Sequence, residues 1–135
     1  MSEFATVTLQ IPELLHHRLI NTAKATNRSL EEILLHALQV GSPPSWDDIP
    51  EEFQADCIAL DKLPNDILEK IARSHKTEGE MSRYNQLLEK NTNHDLTETE
   101  KVELSNLKTE FDRFMLVKAH AACLLRWRGN SFIFN

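Results

Sequence analysis

From Thr6 to Ile11 the chain reads Thr-Val-Thr-Leu-Gln-Ile, a strict alternation of polar and apolar positions with β-branched side chains. That is the period-2 signature of one half-buried strand. Pro12 then sits where a helix can open, because its missing N–H would be unpaired there in any case, and Glu13 follows at the positive end of the helix dipole. Leu15, Leu19 and Ala23 repeat every four residues, which predicts an amphipathic helix from Glu13 to about Ala25. Thr26-Asn27-Arg28 forms a turn. Ser29 with Glu32 reads as a capping box that starts a second helix at Leu30, with Leu30, Ile33, Leu34, Ala37 and Leu38 on one face. Gly41 is expected to stop it in a left-handed conformation.

Ser42-Pro43-Pro44-Ser45 breaks the pattern, since each proline removes a backbone donor and biases its predecessor to extended geometry. The predicted organisation is a module over residues 1–41, a linker over 42–49 and a helical extension over 50–135. Within the extension, one short helix runs to about Leu60 and a second opens at Leu63-Pro64-Asn65 with Ile67, Leu68 and Ile71. A third covers about Glu80 to Lys90 with Tyr84, Leu87 and Leu88. Thr97 with Glu100 caps the longest, which runs to about Arg128 before Gly129. Its expected inward residues are Leu104, Leu107, Phe111, Phe114, Leu116, Ala121, Leu124 and Leu125.

Composition narrows the function. Three glycines and five prolines in 135 residues favour helix over turn-rich folds. The formal net charge of −6 opposes indiscriminate nucleic-acid binding, because affinity for a polyanion follows the phosphates that Lys and Arg neutralise. No apolar run spans a bilayer and the first ten residues lack the features of a signal peptide, so a cytoplasmic protein is expected. Cys57 and Cys123 stand far apart without metal-site spacing and are read as buried small hydrophobes. His16 and His17 lie on one helix and His36 on the next, but adjacent helical positions diverge by about 100° and no carboxylate-histidine motif accompanies them. No nucleophile-base order and no glycine-rich phosphate loop is present. Neither an enzyme nor a metal or other cofactor is therefore expected.

The order strand, helix, polar turn Asn27-Arg28-Ser29, capped helix with Leu30 to Leu38, over residues 5 to 41, resembles the ribbon-helix-helix superfamily of Arc- and MetJ-type repressors and many antitoxins. The resemblance covers under a third of the chain. It implies a mainly α fold with one N-terminal strand and two helices, in which strands of two chains form an intermolecular two-stranded ribbon, followed by the helical region. It further implies a homodimer on operator DNA. Val7, Leu9 and Ile11 would face the core, and Thr6, Thr8 and Gln10 would read base edges in the major groove, where Gln can bridge adenine N6 and N7. Arg28, Ser29 and Leu30, at a helix N-terminus, would clamp a phosphate.

Two further patterns bear on partners. Residues 1–41 carry Arg18, Lys24 and Arg28 against Glu3, Glu13, Glu31 and Glu32, a net charge of −1. After Asp112 every charged residue is basic, namely Arg113, Lys118, Arg126 and Arg128, with Trp127 and Phe132-Ile133-Phe134 beside them. Arg and Trp are frequent interface anchors, so Arg113, Lys118, Arg126, Trp127 and Arg128 are the candidate partner-binding residues, although cations also suit a helix C-terminus. Trp46, Phe53 and Trp127 are read as plugs at the ends of the helical part. An antitoxin that represses its own operon and neutralises a cognate toxin through the C-terminal helices is the leading expectation. The alternative is an all-helical adaptor or assembly subunit that dimerises through the ribbon and binds no DNA.

Overall fold

The structure is a computed structural model and describes residues 3–130. It contains six helices among those residues: α1 (Glu13–Thr26), α2 (Leu30–Val40), α3 (Glu51–Leu60), α4 (Asn65–Ala72), α5 (Glu78–Thr92) and α6 (Glu98–Trp127). The chain divides into two compact units between Ser42 and Pro43.

The first unit corrects the expected fold class. Residues 3–12 form no strand, and no strand occurs among the described residues, so the ribbon-helix-helix gives way to a helical hairpin preceded by an irregular arm. Within one chain the arm has no neighbouring backbone to pair with, and six alternating residues do not hold a strand in isolation. The hairpin itself follows the sequence. α1 ends at Asn27, which takes the left-handed conformation at φ 54 and ψ 43 and donates its N–H back to the helix. Asparagine tolerates that region better than other non-glycine residues because its short polar side chain satisfies itself locally. Ser29 then caps α2, its Oγ accepting the Glu32 N–H at 3.1 Å. Gly41, expected to be left-handed, is not: it ends α2 at φ −91 with its N–H on the Ala37 carbonyl.

The second unit is organised by α6. Its C-terminal half packs on α3 and α4 through a core of Leu60, Leu68, Ala72, Ala121, Ala122, Leu124 and Leu125. Phe53 and Cys57 add two more buried side chains from α3. The N-terminal half of α6 pairs with α5, where Arg83 donates to both Glu103 oxygens at 2.8 and 2.6 Å and Lys90 donates to Glu100 at 2.6 Å. Tyr84 and Phe111 meet between the same helices with ring centroids 5.6 Å apart and planes tilted by 43°. With only one helix against it, this half leaves Leu104, Leu107 and Phe111 half-buried, whereas Ala121, Leu124 and Leu125 are fully enclosed. Phe114 and Leu116 are likewise half-buried.

Full capping boxes start both helices of this pair, Thr77 with Glu80 and Thr97 with Glu100, so α5 begins earlier than the apolar pattern alone suggests. Gly129 closes α6 at φ +86, a conformation that favours glycine. Cys123 corrects a second expectation, for it lies on the exposed side of α6, unlike Cys57.

Candidate interaction surfaces

In the N-terminal unit, Thr6, Thr8 and Gln10 are exposed, as is every residue of the arm from Glu3 to Gln10. This corrects the expectation that Val7, Leu9 and Ile11 face a core: without a strand to pair and pack, Phe4, Val7 and Leu9 stand at 90%, 82% and 73% exposure and Ile11 is only partly buried. Leu14, Leu15, Leu35, Leu38 and Val40 on α1 and α2 are exposed as well. Ala23 alone is buried among the described residues of the unit, while Leu19, Leu30, Ile33 and Leu34 are half-buried between the helices. One buried alanine gives a module of this size little core of its own, and uncovered large apolar side chains in such number are a usual feature of surfaces that associate. Arg28 and Ser29 are exposed at the tip of the hairpin, where the first turn of α2 directs its backbone N–H groups outward. Glu31 and Glu32 occupy that same turn and set a local negative charge against any phosphate there.

In the C-terminal unit the five candidate partner-binding residues separate. Arg128 turns inward: its Nη1 donates to the Leu63 carbonyl at 2.6 Å and to Asn65 Oδ1 at 3.1 Å, and its Nη2 donates to the Asp61 carbonyl at 2.8 Å. It thus seals the α3–α4 loop onto the end of α6. Arg113 bonds Asp56 at 3.1 Å and Glu110, and lies over the Phe53 ring. Lys118 is half-buried near the Phe114 ring, with Lys76 also over it. Arg126 and Trp127 keep substantial exposure. Sequence reasoning grouped these residues by charge; the helical register assigns Arg113 and Arg128 to the packed side.

His120 is buried with Nε2 3.4 Å from Asp61 Oδ1, fastening α6 to the end of α3. Burial pushes the Cys57 thiol above its ordinary pKa, and Asp56 and Asp61 raise it further, which opposes the thiolate that nucleophilic or metal chemistry needs. No cluster of three or more His, Cys, Asp or Glu side chains able to hold a metal ion occurs among the described residues. A crevice of about 110 Å³ lies between α5 and α6, floored by Met81, Tyr84, Leu107 and Phe111. It is well below the size of an ordinary metabolite site. Among the described residues no helix is long and apolar enough to cross a membrane.

An exposed face of α6 sets Arg126, a partner-binding candidate, beside residues that charge alone did not group with it. Asp112, Met115, Ala119, Cys123 and Arg126 are all exposed there. No family model, curated protein or solved structure matches the chain.

Proposed function

We propose that the protein is a self-associating, antitoxin-like DNA-binding regulator. Its N-terminal unit pairs with a second copy and presents Thr6, Thr8 and Gln10 to the base edges of operator DNA, and its C-terminal helical unit occupies a cognate toxin. The observation that supports this reading is the concentration of uncovered apolar side chains on the N-terminal unit: Phe4, Val7, Leu9, Leu14, Leu15, Leu35, Leu38 and Val40 together. A second copy covers such a surface, and pairing doubles the polar contacts available to DNA. In this role the protein performs no chemistry; it occludes DNA and toxin.

A salt-titrated gel shift against the protein's own promoter fragment tests the reading, with Thr8→Ala/Gln10→Ala as the comparison. Selective binding by the parent and its loss in the double variant are expected. The module's net charge of −1 favours a second reading, an adaptor that self-associates without DNA. Absence of selective binding at low salt, from a protein that sediments as a folded dimer, would select the adaptor.

A further inference from the structure

The exposed face of α6 is self-complementary about Ala119. Met115 and Cys123 lie four residues to either side of it, and Asp112 and Arg126 seven residues to either side. At 1.5 Å per residue the two charges stand about 21 Å apart along the axis, and a four-residue or seven-residue step returns to nearly the same side of a helix. All five side chains are exposed, and the ion pairs formed by their neighbours involve neither Asp112 nor Arg126.

We propose that α6 packs antiparallel on α6 of a second copy, with the two-fold axis at Ala119. In that arrangement each Asp112 meets the Arg126 of the other chain and each Met115 shares a layer with the other Cys123. The small Ala119 side chains meet at the axis and let the backbones approach closely. Parallel packing would instead set Asp112 beside Asp112 and Arg126 beside Arg126, so charge selects the antiparallel sense. This contact is separate from the association of the N-terminal unit, and it moves Arg126 from the set of foreign-partner residues to a homotypic one.

Cysteine cross-linking of the full chain tests the register. Ala119→Cys in a Cys123→Ala background places two thiols at the axis within disulfide reach, and mild oxidation is expected to give a covalent dimer. Ser105→Cys in the same background is the control. It is exposed on the same helix but lies fourteen residues from the axis, about 42 Å from its mate, and is expected to stay monomeric on a denaturing non-reducing gel. Adding Asp112→Arg to the Ala119→Cys variant should lower its cross-linking yield about fivefold, and adding Asp112→Arg/Arg126→Asp should restore it, because both ion pairs are then re-formed with reversed sign. An Ala119→Cys yield no higher than that of the Ser105→Cys control overturns the contact, and a yield indifferent to Asp112→Arg overturns the register. Sedimentation of Leu38→Glu, which places a charge on the exposed N-terminal apolar side chains, separates the two associations: the Ala119→Cys cross-link is expected to persist in it.

Discussion

Single residues set the limits of this fold at a few backbone positions and one tightly enclosed core. Asn27 holds a left-handed turn, so Asn27→Gly is expected to leave stability nearly unchanged, whereas Asn27→Val should cost about 1–2 kcal/mol, read by chemical unfolding followed by circular dichroism. Leu125 is wholly buried among Leu60, Leu68 and Ala72, and Leu125→Ala should cost about 2–5 kcal/mol from lost burial and the cavity left behind. Arg128 donates to two main-chain carbonyls of the α3–α4 loop. Lysine carries charge but not the planar fork, so Arg128→Lys should lower the urea midpoint almost as far as Arg128→Ala.

At the scale of helices, α5 and α6 depend on caps and ion pairs more than on burial, since Leu87 is the one enclosed side chain of α5. Thr97→Ala removes the oxygen that accepts the Glu100 N–H and should cost about 1 kcal/mol in urea unfolding. The same pair of helices carries a pH dependence. The hydrogen bond from Lys90, then the Thr97 N–H, holds the Glu100 carboxyl below the ordinary glutamate range, and the Arg83 hydrogen bonds do the same for Glu103. A carboxylate depressed in the folded state stabilises it at neutral pH, and that contribution is lost as pH falls through the ordinary range to the depressed folded values. Urea midpoints should therefore drop across that acidic window, less steeply in Glu103→Gln and in high salt, because Glu103 and its Arg83 partner are solvent-exposed.

Helix positions were legible in the sequence because caps and breakers are local signals: Ser29, Thr97, Gly129 and the Ser42–Ser45 break all stand where the elements begin or end. Burial was less legible. The apolar positions of α6 are similar along its length, and which of them are enclosed depends on where α3 and α4 stop, a tertiary fact. The arm failed as a strand for the same reason, because period 2 states which face is apolar but not whether a neighbour exists to pair with. Of the candidate site, Thr6, Thr8 and Gln10 are exposed because the whole arm is, not because alternation sorts its two faces, while the contacts of Arg113 and Arg128 followed only from packing.

For the whole molecule, the uneven distribution of uncovered apolar surface predicts that concentration controls the N-terminal unit more than the C-terminal one. Diluting the protein should lower the stability of the first unit more than that of the second, and Leu38→Glu in an Asp112→Arg background, where the α6 contact is weakened too, should shift sedimentation toward monomer. A concentration-independent single transition would contradict this. The core of the second unit has a further consequence in time. Its two sides, Leu60 to Ala72 and Ala121 to Leu125, lie some fifty residues apart in the chain. At the pace of translation, about 5–20 residues per second, the α3–α4 side waits roughly 3–10 s for the segment that covers it. The N-terminal hairpin has by then left the ribosome with its large apolar side chains uncovered, so the proposed self-association would let neighbouring nascent chains on one messenger pair before their own C-terminal units have closed.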